Sequence, residues 1–141
     1  RGRRRDGSPM HFDLVDNVIE QSPERIVTVK NVTLAEEYLR DHFPSFPVLP
    51  GVMMLEAMVQ AGRRLLAGRD DAGAGPWVVA EVRNVKYGNM VRPSQQLRVT
   101  VECQGGEDGR FKFKGAGEVD GASAVQGRFI LRRAVSPAGS R

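Results

Sequence analysis

Residues 51–67, GVMMLEAMVQAGRRLLA, are the stretch that decides the fold of this 141-residue chain. Pro50 precedes the stretch and Gly68 follows it, which is the pattern of a helix that begins after a proline and ends at a glycine cap. The apolar side chains of this predicted helix cover nearly its whole circumference rather than one stripe. Because such a helix must be buried on most of its sides, we expect an antiparallel sheet to curl around it.

Most of the remaining chain has the pattern of β-strands. Alternating apolar and polar residues or short β-branched runs predict strands over 12–20, 26–32, 77–87, 97–104, 110–119 and 123–133. Residues 105–109 and the pair Asp120-Gly121 predict hairpin connections, which make their flanking strands antiparallel. Thr33 is a candidate N-cap for a short helix over 34–41. The sequence therefore predicts an α+β fold with one long central helix.

The composition is that of one ordinary folded domain with a basic beginning. The chain is 40% hydrophobic and 27% charged, and its formal net charge is +4. Four arginines and one aspartate lie within residues 1–9, so the rest of the chain is almost neutral. We expect 1–9 to be a disordered basic tail, 10–135 a single domain and 136–141 a flexible tail. Nucleic-acid binding is not expected, because the body lacks the aromatic and basic patterns that recognise nucleic acids.

The sequence disfavours membrane, exported and metal-dependent classes of protein. No unbroken apolar run exceeds four residues, far below the roughly 20 needed to cross a bilayer. The chain shows no signal-peptide pattern, and its single cysteine, Cys103, fits a reducing compartment, so we expect a cytoplasmic protein. His11 and His42 are the only histidines, and neither has a cysteine at zinc spacing. We therefore expect no metal and no cofactor.

Glu56 is the one acidic residue in the apolar helix. A carboxylate buried without a partner is costly, and burial favours the neutral form of such a group. Gln60 lies one turn further along the same side, and Arg63 follows within the next turn. These residues leave two interpretations open: Glu56 is a desolvated acid with a chemical role, or it forms an ordinary ion pair, for example with Arg63.

A second titratable residue, His42, lies fourteen residues before Glu56. It opens a loop that three prolines within the next eight residues make stiff and extended. A histidine can take and give protons near neutral pH. The backbone N–H groups of Gly51 and Val52 have no acceptor within the helix and are suited to polarising a carbonyl oxygen. Together these groups suit removal of a proton beside a carbonyl and loss of a neighbouring hydroxyl.

The same residues resemble the signature of a known enzyme family. The matching positions are His42-Phe43-Pro44, Pro47, Pro50-Gly51-Val52, Glu56-Ala57 and Gln60. This pattern is similar to that of the β-hydroxyacyl-acyl carrier protein dehydratases of the FabZ and FabA type, and the similarity extends over about residues 12–133. The resemblance implies the hotdog fold, with the sheet wrapped around the long helix. It also implies dehydration of 3-hydroxyacyl thioesters to trans-2-enoyl thioesters, without a cofactor, in fatty acid or related lipid biosynthesis.

The resemblance also implies roles for individual residues. His42 would be the catalytic base, and Glu56 the acid or the residue that orients water. The N–H groups of Gly51 and Val52 would bind the thioester oxygen. The supporting residues would be Gln60, Phe43 and Pro50. An acyl carrier protein would deliver the substrate, and the family forms homodimers in which the histidine of one subunit meets the glutamate helix of the other. In that family such dimers often assemble into hexamers.

Some positions depart from the family pattern. Asp41, Ser45 and Ser94 stand where the family usually has glycine, and segment 7–11 lacks its usual Pro-His-Arg. Glycine can adopt backbone angles that other residues avoid, so these departures bear on loop shape and substrate choice. The departures leave a non-catalytic acyl-binding hotdog subunit open as an alternative. A second alternative is a hotdog acyl-thioesterase, which would use the helix acid with water and have little need for His42.

Overall fold

The computed structural model describes residues 13–33, 49–70, 72–73 and 75–134. Within these ranges the helix α1 is Gly51–Ala67, and the strands are β1 (Asn17–Gln21), β2 (Arg25–Asn31), β3 (Trp77–Tyr87), β4 (Gln96–Glu107), β5 (Arg110–Val119) and β6 (Ala122–Arg133). The predicted helix over 51–67 and the predicted strand over 77–87 are confirmed with their bounds. No helix in this part of the chain has the length and hydropathy that a bilayer crossing requires.

All neighbouring strands of the sheet run antiparallel. Their order across the sheet is β1-β2-β4-β5-β6-β3. The chain forms β1 and β2 at one edge, passes through α1 to β3 at the opposite edge, and fills the space between with β4, β5 and β6. Helix α1 packs against β2 to β6. The predicted α+β arrangement of a sheet around one long helix is therefore confirmed.

Two turns of sequence Asp-Gly connect the central strands. Asp108 and Gly109 have φ of 56° and 75°, and Asp120 and Gly121 have φ of 51° and 79°. Positive φ at both central residues is the mark of a type I′ turn, whose twist suits an antiparallel hairpin and which favours Asp-Gly. The predicted turn at Asp120-Gly121 is confirmed.

The hairpin loop predicted over 105–109 is too long. Strand β4 continues to Glu107, and its register with β5 shifts between Cys103 and Gly105. Gly105 has a φ of 124°, a conformation that side-chain-bearing residues avoid. Gly105 therefore makes a bulge inside a continuous strand, and only the last two residues of the predicted loop form the turn.

The first strand is shorter than predicted. Strand β1 covers Asn17–Gln21 rather than 12–20. Before it, the N–H group of Leu14 donates to Oε1 of Gln60 at 2.8 Å instead of joining the sheet. The chain ahead of β1 thus turns towards α1, a contact between distant segments that an apolar pattern does not indicate.

The helix and the sheet approach each other closely at two glycines, Gly62 on the helix and Gly115 on β5. A Cβ atom on Gly62 would lie 3.0 Å from the ring of Phe129, and one on Gly115 would lie 2.9 Å from the sulfur of Met58. The rings of Phe113 and Phe129 stack with their centroids 5.0 Å apart. The buried residues of the helix are Met54, Ala57, Met58, Val59, Ala61, Gly62, Leu65 and Leu66. The hydrophobic core therefore fills the space between α1 and the sheet.

The start of the helix is more open than its middle. Val52 is 66% exposed, and Met53, Leu55 and Glu56 are half-buried. The expected burial on most sides is therefore found in the middle of α1 and not in its first turn. Glu56 lies just beyond this open first turn.

The helix ends before Gly68 as predicted, but for a different reason. The φ of Gly68 is −91°, so this residue does not use the left-handed conformation of a typical glycine cap. A Cβ atom there would lie 2.8 Å from Nε2 of Gln21, which donates to the carbonyl of Arg64 at 3.3 Å. Glycine is therefore not required here by a special backbone angle, and the end of the flexible Gln21 side chain occupies the space that a Cβ atom would take.

Several predicted features lie outside the described residues. They are the basic segment 1–9, the short helix over 34–41, the loop residues His42 and Phe43 with the prolines at 44 and 47, the departures Asp41 and Ser45, and the tail 136–141. These features, and the division into a domain over 10–135 with two tails, stay predictions.

Replacing Phe129 with alanine tests the contact between helix and sheet. The substitution removes the ring that packs against Gly62 and Phe113, so we expect the free energy of unfolding to fall by about 3–5 kcal/mol. Urea titration followed by circular dichroism measures this change. Lys112→Ala, at an exposed position of β5, is the control and should change the free energy by less than about 0.5 kcal/mol. Equal losses in the two variants would contradict this assignment of the core.

Candidate active site

Helix α1 begins with two backbone donors that find no acceptor among the described residues. Pro50 is the N-cap residue, with φ of −60° and ψ of 146°. Its carbonyl accepts hydrogen bonds from the N–H groups of Met53 at 2.9 Å and Met54 at 3.2 Å. The N–H groups of Gly51 and Val52 are left without an acceptor in the described part of the chain. They carry the positive end of the helix dipole, so this place favours an oxygen with partial negative charge.

Tyr87, at the end of β3, lies against the start of the helix. A Cβ atom on Gly51 would be 2.9 Å from the Tyr87 ring, so glycine at this position permits the contact. The tyrosine remains 52% exposed. Sequence reasoning missed Tyr87, because no local pattern indicates that the end of β3 meets the start of α1.

Glu56 lies about one turn beyond these donors and is neither fully buried nor alone. Its side chain is 39% exposed. Its Oε2 atom accepts a hydrogen bond from Nε2 of Gln60 at 3.2 Å and lies 3.6 Å from Nη1 of Arg63. Of the two interpretations left open by the sequence, the ion pair with Arg63 is present. The pair does not exclude a chemical role for the carboxyl group.

Gln60 connects Glu56 to the chain ahead of β1. Its Oε1 atom accepts the N–H of Leu14 at 2.8 Å, and its Nε2 atom donates to Glu56. A backbone N–H requires an acceptor, so this bond determines which end of the amide faces Leu14 and which faces the carboxyl group. The predicted support of Glu56 by Gln60 therefore has a defined orientation, and the contribution of Leu14 is one that the sequence did not indicate.

Arg63 also contacts Glu56, from three residues beyond Gln60 along the helix. Its Nε atom donates to the carbonyl of Trp77, the first residue of β3, at 2.9 Å. The side chains of Arg63 and Glu56 are 38% and 39% exposed. Ion pairs with that much solvent contact contribute only about 0–1 kcal/mol to stability.

The described residues place two backbone donors and one carboxyl group in the first two turns of α1. Gly51 and Glu56 are five residues apart, which is about 7.5 Å along a helix axis. A short ligand whose carbonyl oxygen meets the N–H groups can therefore bring a hydroxyl group to Glu56. His42 and Phe43 lie outside the described residues, so their places in the site stay predictions.

The sequence matches a family of known domains over most of its length. The pattern of the FabA-like domain matches residues 8–128. The chain is 39% identical, over 118 residues, to the 3-hydroxyacyl-acyl-carrier-protein dehydratase FabZ of Geobacter metallireducens, and the match covers 82% of this chain and 79% of that protein. It is 36% identical, over 116 residues, to the protein of the same name from Polynucleobacter asymbioticus, covering 82% and 78%.

Solved structures share the fold at low sequence identity. The dehydratase heterocomplex ApeI:P from Xenorhabdus doucetiae contains a chain that matches with a TM-score of 0.73 and 17% identity, covering 88% of this chain and 84% of that chain. Thioesterase superfamily member 2 from Mus musculus matches with a TM-score of 0.65 and 12% identity, covering 82% and 80%. These likenesses concern the fold alone.

Replacing Gln60 with leucine tests the link between the helix and the chain ahead of β1. The variant keeps a side chain of similar size but leaves the part-buried N–H of Leu14 without its acceptor. We therefore expect the free energy of unfolding, measured by urea titration, to fall by about 1–3 kcal/mol. Gln126→Leu, at an exposed position of β6, is the control. If the two variants are equally stable, the Gln60 bridge does not hold these segments together.

Proposed function

This chain belongs to the FabA-like domain family and has the hotdog fold, and we propose that it dehydrates 3-hydroxyacyl thioesters on acyl carrier protein to trans-2-enoyl thioesters. The observation that carries the proposal is the position of Glu56, which Gln60 holds about one turn beyond two N–H groups that have no acceptor in the described residues. The similarity to the FabZ dehydratases supports the same reaction. The protein is accordingly a lyase of fatty acid or related lipid synthesis.

The proposed reaction removes one proton and one hydroxyl group from the substrate. His42 takes the proton from the carbon beside the thioester carbonyl, and the electron density passes to the carbonyl oxygen, which the N–H groups of Gly51 and Val52 stabilise. The density then returns to form the carbon–carbon double bond as the bond to the 3-hydroxyl oxygen breaks. Glu56 protonates the departing hydroxyl group, which leaves as water. The proton that His42 took then passes to Glu56, directly or through solvent, so both residues return to their starting states.

The proposed active unit is a homodimer in which His42 of one subunit faces Glu56 of the other. Within the described residues, β3 is an edge of the sheet with no strand on its outer side. The apolar side chains that it exposes are Val79, Val82 and Tyr87. A long edge strand presents unpaired N–H and C=O groups and can pair with another chain. The exposed Val52 adds apolar surface near Tyr87, which supports an interface beside the helix start.

A carrier protein and a compartment follow from the same reaction. Acyl carrier protein is the substrate carrier in the names of the FabZ relatives, and it is the proposed partner here. The proposed compartment is the cytoplasm. Cys103 is a free thiol, which suits a reducing environment.

Single substitutions at the two proposed catalytic residues test the reaction. His42→Ala and Glu56→Gln should each lower kcat at least about 100-fold, because acid–base groups commonly contribute that much. The assay follows the absorbance of the conjugated enoyl product from 3-hydroxyacyl thioesters of several chain lengths. His11→Ala is the control and should keep the activity of the unmodified protein. Release of free thiol without enoyl product would indicate a thioesterase instead, and acyl binding without turnover would indicate a non-catalytic subunit.

Mixing the two inactive variants tests whether the site is shared between subunits. A mixed dimer of His42→Ala and Glu56→Gln would contain one site with both residues intact, so co-expression in equal amounts should restore about a quarter of the normal activity. Light scattering of the purified sample measures whether dimers or hexamers are present. If the mixture stays inactive although mixed dimers form, each site takes both residues from one chain.

A further inference from the structure

We infer that Arg63 is a positioning residue for Glu56: it holds one carboxyl oxygen in place so that the other can meet the reacting groups. The inference rests on the proposed function, because it assigns Arg63 a part in the same reaction. On this inference, the ion pair between Arg63 and Glu56 is part of the active site and is more than a contact at the protein surface.

The guanidinium group of Arg63 is itself held. Its Nε atom donates to the carbonyl of Trp77 at 2.9 Å, and that carbonyl belongs to the first residue of β3. The side chain of Trp77 is buried and meets the ring of Phe111 edge to face, with centroids 5.5 Å apart. Because a guanidinium group is planar and rigid, one bond to a well-packed acceptor restricts the direction of its remaining donors.

A hydrogen bond and an ion pair converge on the same oxygen of Glu56. Nε2 of Gln60 lies 3.2 Å and Nη1 of Arg63 lies 3.6 Å from Oε2. No described residue donates a hydrogen bond to Oε1. Among the described residues, therefore, the protein contacts one oxygen of the carboxyl group and leaves the other to the 3-hydroxyl group of the substrate.

The positions of the residues along the helix permit this arrangement. Glu56 and Arg63 are seven residues apart, which is nearly two full turns, so both lie on one side of α1. Long side chains on a helix lean towards its N-terminus, so Arg63 leans towards Glu56. Gln60 lies between them on the same side. The two supports of Glu56 reach different parts of the fold, since Gln60 binds the chain ahead of β1 and Arg63 binds the start of β3.

Substitutions at Arg63 and its neighbour separate positioning from simple stabilisation. Arg63→Met keeps the apolar stem but removes every donor, and we expect it to lower kcat about tenfold with KM changed less than twofold, as misplacement of a reacting group does. Arg63→Lys keeps the charge and should recover part of the lost kcat. Arg64→Met is the matched control: it makes the same change one residue later at an exposed position, and should leave kcat unchanged.

The outcomes distinguish this inference from the proposed function. If Arg63→Met lowers the melting temperature but leaves kcat unchanged while Glu56→Gln abolishes turnover, Arg63 only fastens α1 to β3 and the inference is wrong. If Glu56→Gln also leaves turnover unchanged, the proposed function itself fails. A crystal structure of the Arg63→Met variant shows the position of the Glu56 carboxyl group without the need for substrate. We expect the Glu56 carboxyl group to leave its position beside Gln60, and an unmoved carboxyl group would overturn the inference.

Discussion

The burial of helix α1 against the sheet is the constraint on which the rest of the molecule depends. An apolar helix is stable in water only when other elements cover its apolar surface, and α1 packs against β2 to β6 with eight of its 17 residues buried. The contact is close enough that a Cβ atom on Gly62 would lie 3.0 Å from the ring of Phe129 and one on Gly115 would lie 2.9 Å from the sulfur of Met58. Because the helix is held at its middle, its first turn can remain open without unfolding. That open turn presents the N–H groups of Gly51 and Val52, and the half-buried Glu56 lies about one turn further along.

Contacts from both edges of the sheet position the carboxyl group of Glu56. Gln60 connects Glu56 to the chain ahead of β1, and Arg63 connects it to the start of β3. The strands β1 and β3 are the opposite edges of the sheet. A sheet that curls around the helix brings both edges towards it, so the same curvature that buries the core also supplies the supports of Glu56.

The ion pair between Glu56 and Arg63 can contribute little to stability and still orient the carboxyl group. As a source of stability the pair is weak, since both side chains keep more than one third of their exposure. As a constraint on direction it is stronger, because Nε of Arg63 is already bound to a backbone carbonyl. A catalytic carboxyl group needs a defined position more than it needs a large interaction energy.

The sequence by itself determined the features that depend on neighbouring residues. It indicated the start and end of α1, the alternation along β5, the turn at Asp120-Gly121 and the placement of Glu56 and Gln60 on one side of the helix, since each follows from local periodicity or turn chemistry. Only the tertiary structure decided that Gly105 bends a strand, that Tyr87 meets Gly51 and that Arg63 binds the carbonyl of Trp77. The last two contacts join segments that are far apart in the chain, and the bulge depends on how β4 pairs with β5. All three therefore depend on the path of the backbone through the fold, which local residue patterns do not indicate.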